Sequence, residues 1–214
     1  MEIGIIGSGA LGASIARALA AKGIGATISN SRGPASLASL VEQLGPAIRA
    51  GTVREAAAAD IVIVAVRWVD IAGALSRLPD WDGRIVIDAT NPVRFLEANS
   101  PEANDPTNPL AAYGIKAIDL GHLHSSQVFS EFVPGARVVK AFNHLAAEAL
   151  LAPELGGGRR VLFYSGDDAS AKATVRELLE TSGFFPVDLG VLDVGGPLAS
   201  LPFGALGMNN FVKV

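Results

Sequence analysis

The sequence predicts an α/β fold with a doubly wound, parallel sheet and a small C-terminal α/β extension. The first observation is an apolar run, Glu2 to Ile6, that leads into glycines 7, 9 and 12 and then into a helix with Leu11, Ile15 and Leu19 on one side. The second is a further short apolar run, Gly25 to Ile28, which completes a strand–helix–strand unit within about thirty residues. The third is the continued alternation of strand and helix patterns, which is typical of a parallel sheet covered on both faces. Together these features are those of a Rossmann-type fold.

Later elements follow the same rhythm. Residues 60–66 form a β-branched run, as expected for a central strand buried on both faces. Further strands are predicted at 48–50, 85–88, 136–142, 160–164 and 185–189, and helices at 34–44, 53–59, 68–78, 127–132, 144–151 and 168–181. Residues 94–112 are rich in turn formers and predict a long loop, and the tail from Gly195 shows no clear period.

Two units are expected, one over residues 1–153 that contains the glycine turn and a small C-terminal one over 154–214; the resemblance described below implies that the first binds the cofactor and the second closes the cleft between them. Pro153 and the run Gly156 to Gly158 are the only boundary signal. The chain has 214 residues, which is enough for one domain with a small appendage.

Composition excludes several classes of protein. The chain has no cysteine, which excludes disulfides, thiolate nucleophiles and cysteine-ligated metal sites. A net charge of −4 argues against a nucleic-acid partner. No segment looks like a signal peptide or a membrane span, so a cytoplasmic protein is expected.

The spacing Gly7-x-Gly9-x-x-Gly12 between a strand and a helix predicts a dinucleotide site. Gly7 permits a sharp turn, Gly9 lets a diphosphate approach the backbone, and Gly12 lets the helix pack close to the sheet. The amides at the helix N-terminus then face the diphosphate. A glycine-rich turn without a ligand is the alternative.

The end of the second strand favours NADP(H) over NAD(H). Ser29 stands where NAD-binding proteins usually carry an acidic residue for the ribose hydroxyls, and Asn30, Ser31 and Arg32 follow it. A neutral position does not repel a 2′-phosphate, and the arginine fork matches phosphate oxygens. The alternative is that these polar residues only cap the helix that starts near Pro34.

The sequence resembles the NADPH-dependent reductases of coenzyme F420, an 8-hydroxy-5-deazaflavin, whose superfamily includes the cytosolic reductase domain of the STEAP metalloreductases. The resemblance covers nearly the whole chain. The matching segments are Ile3 to Gly9, Ile28 to Pro34, Gly51 to Val53, Ala59 to Val62, Asp88 to Pro92, Val138 to Asn143, Phe163 to Asp168, Pro186 to Gly190 and Asn210 to Lys213.

The resemblance implies that nicotinamide and deazaflavin rings stack in a cleft between the two domains of a homodimeric enzyme. It places Ser8, Ala10 and Leu11 at the diphosphate turn, and Ser29, Ser31 and Arg32 at the 2′-phosphate. It also places Val66 and Arg67 near the cofactor, and Asn91 and Asn143 near the nicotinamide. Arg67 departs from the family, which commonly has proline there, so the identity of the acceptor stays open.

Hydride transfer between two organic cofactors needs stacking and orientation more than acid–base groups. A carbonyl or imine reductase needs a proton donor near the nicotinamide, and Lys140, His144 and His124 are the candidates. The pair Lys140 and Asn143 is similar to the lysine and asparagine of hydroxyacid dehydrogenases of related fold. A structural lysine whose ammonium reaches a carbonyl is an equal alternative for Lys140.

The sequence also contains two histidines, a tryptophan and a C-terminal tail whose roles are less clearly indicated. His122 and His124 would share one face of a strand, but no carboxylate or cysteine cluster lies near them in sequence, so no metal site is predicted. Their loop is expected to line the acceptor cleft. Trp68 is either a stacking residue or part of the core, and the tail from Phe203 to Asn210 either caps the acceptor or seals a dimer interface.

Three functions follow. The leading hypothesis is an NADP-dependent oxidoreductase that passes hydride to a deazaflavin (coenzyme F420) or a flavin. The second is an NADPH-dependent reductase of a small carbonyl or imine, which the short C-terminal part disfavours. The third is a non-catalytic NADP-binding sensor.

Overall fold

The central sheet contains ten strands, and a separate two-stranded sheet lies beside it. The computed structural model describes all residues, 1–214. The strands are β1 (Ile3–Ile6), β2 (Ala26–Ser29), β3 (Ile48–Ala50), β4 (Ile61–Val64), β5 (Ile85–Asp88), β6 (Val93–Phe95), β7 (Ile115–Ala117), β8 (Arg137–Ala141), β9 (Glu154–Leu155), β10 (Gly158–Gly166), β11 (Phe185–Asp188) and β12 (Val212–Lys213).

Seven α-helices flank the sheet. They are α1 (Ala10–Ala21), α2 (Ala38–Leu44), α3 (Val53–Ala57), α4 (Ile71–Leu75), α5 (Ser125–Glu131), α6 (Ala169–Thr181) and α7 (Leu192–Ala199). Short 3₁₀ helices span Pro34–Leu37, Trp68–Asp70, Glu102–Asn104, Ala111–Tyr113 and Ala147–Leu151. None of the helices combines the length and the apolar character needed to cross a bilayer.

The strand order is β11-β10-β8-β5-β4-β1-β2-β3, with β9 and β12 also paired to β10. From β8 to β3 all neighbours are parallel, whereas β10 is antiparallel to β8 and parallel to β11. The predicted doubly wound sheet is therefore confirmed, and its antiparallel pairs are those of β10 with β8, β9 and β12. The chain leaves β1 toward β2 on one side and returns to β4 on the other. This reversal creates a crevice at the carboxyl ends of β1 and β4, where ligands bind in open α/β sheets.

Two apolar layers cover the sheet because alternate strand residues point to opposite faces. Ile5 packs into the larger layer with Leu19 of α1 and Leu178 of α6. Its neighbour Ile6 packs into the second layer with Phe129 of α5. All four residues of β4 are buried, as expected for a strand covered on both sides.

The structure differs from the sequence prediction in three segments. The predicted loop over residues 94–112 begins inside β6 and ends before β7, and these two strands pair antiparallel across it. The predicted helix from His144 to Leu151 reduces to a 3₁₀ turn over Ala147–Leu151. The tail contains α7, which the sequence pattern hides because Gly195, Gly196 and Pro197 interrupt the apolar period.

Residues 154–214 continue the same sheet through β10 and β11, which pair with β8 and with each other. The hydrogen-bonded sheet therefore has no break at residue 153. The division into a cofactor domain and a domain that closes the cleft stays a prediction.

Candidate active site

The turn between β1 and α1 requires glycine at its first and last positions. Gly7 has φ +113°, and a Cβ there would lie 2.3 Å from the carbonyl oxygen of Ala65. A Cβ on Gly12 would lie 2.0 Å from the carbonyl oxygen of Gly7. The side chain of Val66 lies against the same turn, since its Cγ1 would be 3.1 Å from a Cβ on Gly7. The turn is thus fixed by close backbone contact and by the end of β4.

Gly9 presents the opposite situation. It is exposed, it precedes α1 as the N-cap, and no side chain caps the helix. No atom lies within 4 Å of the position a Cβ would take. The first amides of α1 have no intrahelical acceptor, and Ala10 at the exposed start of the helix leaves them open. This end of α1 fits a diphosphate by sterics and by the helix dipole.

The residues after β2 divide into two groups. Ser29 is buried and its Oγ donates to the carbonyl oxygen of Ile5 at 3.0 Å, so it ties β2 to β1. Asn30 Oδ1 accepts from the amide of Arg32 at 2.9 Å, and its Nδ2 donates to Ser8 Oγ at 3.2 Å. Asn30 therefore joins this loop to the glycine turn. Both side chains thus make contacts within the chain, and their predicted role at the 2′-phosphate stays a prediction.

Ser31 and Arg32 are exposed, and the Arg32 guanidinium makes no hydrogen bond or ion pair within the chain. Ser36 stands beside them, with its Oγ 3.1 Å from Asn30 Oδ1 and 2.7 Å from the carbonyl oxygen of Gly33. The sequence prediction missed Ser36, although its place three residues after Gly33 is a capping position. The free arginine beside hydroxyl groups fits a 2′-phosphate.

The segment after β4 carries a cation that is already paired. Arg67 is exposed, and its Nε donates to Asp70 Oδ2 at 2.6 Å. This hydrogen bond and the charge of Asp70 raise the pKa of Arg67 above its ordinary value. Trp68 is half-buried against the second apolar layer, which favours its packing role.

Two asparagines join the ends of β5 and β8 to the C-terminal segment. Asn91 Nδ2 donates to the carbonyl oxygen of Asn143 at 2.7 Å, and Asn91 Oδ1 accepts from Asn143 Nδ2 at 3.1 Å. Asn91 Oδ1 also accepts from the amide of Leu201 at 2.9 Å, and Asn143 Nδ2 donates to the carbonyl oxygen of Ala199 at 3.0 Å. The oxygen Asn143 Oδ1 is buried without a partner.

Lys140 lies in a closed ionic network below these asparagines. Its Nζ donates to Asp88 Oδ2 at 2.8 Å and to the carbonyl oxygen of Thr90 at 2.7 Å. Asp88 Oδ1 accepts from the amide and the hydroxyl of Thr90 at 2.8 and 2.6 Å. The side chains of Lys140 and Asp88 are 1% and 0% exposed. This arrangement favours the structural reading of Lys140, because its ammonium already reaches a carbonyl and a carboxylate.

His144 is fully buried, and neither of its ring nitrogens has a hydrogen-bond partner. Burial lowers the pKa of His144 to about 4, so the ring is neutral at physiological pH. It packs against Phe163 with ring centroids 4.9 Å apart. Phe142, two residues before His144, has φ +66°, which is an unusual backbone conformation for a bulky residue. The backbone therefore turns sharply where β8 meets the site.

A cavity of about 550 Å³ opens beside Asn91. Its walls come from Pro92, the segment from Ala117 to Ser125, and the C-terminal segment from Pro197 to Gly204. The predicted acceptor loop and the predicted tail therefore meet here. His124 lies on the wall, and its Nε2 is 2.7 Å from Asp193 Oδ1.

His122 and His124, which are two residues apart, do not share a strand. His122 is exposed in a loop, whereas His124 caps α5 by accepting from the amide of Gln127 at 3.3 Å. No group of three or more histidine, aspartate or glutamate side chains in the chain is arranged to hold a metal ion.

Comparison with known proteins finds a match to one family model and several similar chains. Residues 2–92 match the family model described as NADP oxidoreductase coenzyme F420-dependent. A crystal structure of a hypothetical protein, SMa0349, from Sinorhizobium meliloti is similar along its whole length, with 41% identity, a TM-score of 0.86, and coverage of 100% of this chain and 97% of that one.

Two further relatives carry functional names. A candidate F420-dependent NADP-reductase from Arthrobacter sp. FB24 is 25% identical with a TM-score of 0.68, covering 90% of this chain and 86% of that one. Metalloreductase STEAP3 of Rattus norvegicus is 28% identical over 207 residues, which are 96% of this chain and 37% of STEAP3. The chain therefore spans a little over a third of that curated relative. Residues 2–92 therefore match a model of NADP oxidoreductases, and the chain as a whole is similar in sequence and fold to these relatives.

Proposed function

We propose that the chain transfers a hydride between NADP(H), bound along the carboxyl ends of β1, β2 and β4, and a deazaflavin or flavin-type acceptor in the cavity beside Asn91. The observation that carries this proposal is the position of the cavity. It opens at Pro92, directly after Asn91, which the resemblance places near the nicotinamide. An acceptor ring held there lies beside the cofactor site.

The residues of the chain fit the cofactor in separate parts. The open end of α1 at Gly9 receives the diphosphate, and the free guanidinium of Arg32 with Ser31 and Ser36 receives the 2′-phosphate. Asn143 Oδ1 has no hydrogen-bond partner in the chain, and we assign it as the oxygen that accepts a hydrogen bond from the carboxamide N–H of the nicotinamide.

The interior of the site favours direct hydride transfer over acid–base chemistry. Lys140 has its ammonium bound to Asp88 and Thr90, and the low pKa of His144 leaves it neutral. NADPH, when bound, supplies the hydride, that is one hydrogen with two electrons, and the acceptor ring takes both while its accompanying proton comes from solvent. The chain's task is then to orient two rings and exclude water between them.

One observation favours a second candidate, reduction of a small carbonyl or imine. His124 lies on the cavity wall and forms a pair with Asp193, and such a pair is able to deliver a proton to a substrate. This candidate predicts that His124→Ala abolishes turnover, whereas the leading proposal predicts turnover within a few-fold of the unaltered protein.

The test is an NADPH-oxidation assay with coenzyme F420, FMN, FAD, riboflavin, ferric chelates and a panel of carbonyls and imines. We expect turnover with the deazaflavin or a flavin. Ala117→Trp fills the cavity and should abolish turnover while NADP⁺ binding persists. Ala112→Trp is the matched control, because Ala112 is exposed and does not line the cavity. Turnover with carbonyls or imines alone would replace the leading proposal by the second, and NADPH binding without any turnover would favour a sensor.

A homodimer is also part of the proposal, and light scattering at micromolar concentration tests it. An exposed apolar stripe on α7, formed by Val191, Val194 and Leu198, is consistent with such an interface.

A further inference from the structure

The cavity beside Asn91 has an unusual charge composition for a site that accepts a redox cofactor. Its polar side chains are those of Asp119, His124, Ser125 and Ser200, and the other side chains on its wall are apolar. No lysine or arginine lines it. Cofactors that carry phosphate are normally held by such cations or by helix N-termini.

Two cations on the strands next to the cavity wall, Arg94 and Lys116, are directed elsewhere. Arg94 of β6 is opposite Lys116 of β7, so both point to the same face of this small sheet. Arg94 donates to both carboxylate oxygens of Glu102, at 2.8 and 2.9 Å. Ala117, which follows Lys116, lines the cavity, and consecutive strand residues point to opposite faces. Both cations therefore belong to the face that turns away from the cavity.

His124 does not supply the missing positive charge. Its Nδ1 accepts from the amide of Gln127, and its Nε2 lies 2.7 Å from Asp193 Oδ1. Both ring nitrogens are therefore engaged within the chain, and the carboxylate of Asp193 offsets any positive charge on the imidazole. Ser125 and Ser200 are occupied with each other, at 3.0 Å between their Oγ atoms.

Asp119 adds a negative charge that no cation of the wall offsets. It is exposed at the rim, and its Oδ1 accepts from the amide of Gly121 at 2.8 Å, which leaves the other carboxylate oxygen free. The cavity is thus apolar inside and negative at its rim.

We infer that this cavity binds the uncharged ring system of its redox acceptor and repels an anionic tail attached to that ring. The inference rests on the proposed function and gives the chemical class of the acceptor: an isoalloxazine-type ring in its uncharged form is bound, and any phosphate on it stays in solvent outside the rim. A flavin without phosphate therefore binds more tightly than the same flavin with phosphate.

The experiment compares riboflavin and FMN, which share one ring and differ by a phosphate. Each is titrated into the protein loaded with NADP⁺, and the quenching of flavin fluorescence gives the dissociation constant at low ionic strength. We expect riboflavin to bind at least threefold more tightly than FMN. Asp119→Asn should lower the ratio of the FMN dissociation constant to the riboflavin dissociation constant about threefold. The substitution removes one repelling charge but keeps the oxygen that accepts from the amide of Gly121.

Asp80→Asn is the matched control, because Asp80 is exposed and lies outside the cavity, before β5. It changes the net charge by the same amount and should leave the ratio unchanged. Equal or tighter binding of FMN, binding of neither flavin, or a ratio that Asp119→Asn does not change would overturn the inference. Turnover is measured separately: flavin binding with the expected ratio but no NADPH oxidation would refute the proposed function alone.

Discussion

Arg32 and Lys140 are both cations near the carboxyl edge of the sheet, but they lie in opposite environments. Arg32 follows β2, is exposed and has no partner within the chain. Lys140 lies in β8, is 1% exposed, and binds a carboxylate and a carbonyl. The Arg32 guanidinium is free to bind a ligand, whereas the Lys140 ammonium already donates hydrogen bonds to Asp88 and Thr90. The comparison shows that residue type alone does not assign a role, since the partners of each charge decide it.

The same contrast holds for the two ends of the site. At the end proposed to bind the adenosine and the diphosphate, Gly9 and Arg32 are open to solvent. At the end near β5 and β8, Asn91, Asn143 and Lys140 form a network of short contacts that fixes the backbone. Binding energy is therefore expected from the first end, and precise orientation of the rings from the second.

The largest effect is expected at Lys140. Lys140→Met leaves Asp88 charged and buried with only Thr90 beside it, and should lower the free energy of unfolding by about 3–5 kcal/mol. Urea denaturation measures this loss. The double variant with Asp88→Asn should recover most of it, because no buried charge remains. A Lys140→Met protein of normal stability that binds NADPH but does not turn over would instead make Lys140 catalytic.

Buried His144 should make the protein sensitive to acid. Its pKa is lowered from 6.5 to about 4, so the unfolded chain binds a proton that the folded chain refuses. Stability is then complete above about pH 6.5 and falls as the pH drops toward 4, by about 3 kcal/mol in all. Denaturation at a series of pH values tests this. His144→Phe keeps a ring against Phe163 and should flatten the curve in this window; an unchanged slope would assign the acid sensitivity to other groups.

A feature of the fold or of the candidate site could be predicted from the sequence when the residues that form it lie close together in the chain. The glycine turn was predictable, because a strand, three glycines and a helix lie in one short segment. The direction of Ser29 was not, since its Oγ bonds to Ile5, twenty-four residues away. The cavity wall was predictable only as two separate segments, because the contact between Asn91 and Leu201 spans 110 residues.

Helix α7 shows a further limit. Gly195 and Gly196 read as helix breakers, yet a Cβ on Gly195 would lie 2.5 Å from the Cβ of Ser165. One on Gly196 would lie 2.9 Å from Ser126 Oγ. Close packing against β10 and α5 therefore requires these glycines, and tertiary contact outweighs their low helix propensity.

Gly9 offers a smaller effect that concerns binding alone. Its backbone has φ −69°, and a Cβ meets no protein atom, so Gly9→Ala should fold normally. The added methyl group occupies the space of the diphosphate and should weaken NADP⁺ binding about thirtyfold, or ~2 kcal/mol. Calorimetry measures the affinity. Gly73→Ala is the control, because Gly73 is also open but lies in α4; equal losses in both variants would remove the diphosphate from this turn.

The measurement that tests the central claim most directly is calorimetric titration of NADP⁺ and NAD⁺ into the unaltered protein and Arg32→Ala. The account predicts that the variant loses about tenfold, or ~1.4 kcal/mol, in affinity for NADP⁺ and little for NAD⁺, because only NADP⁺ carries the 2′-phosphate. Arg17→Ala, which removes another exposed and unpaired arginine, should change neither affinity. Equal losses for both nucleotides in Arg32→Ala, or no loss at all, would contradict the assignment of this edge of the sheet to NADP(H).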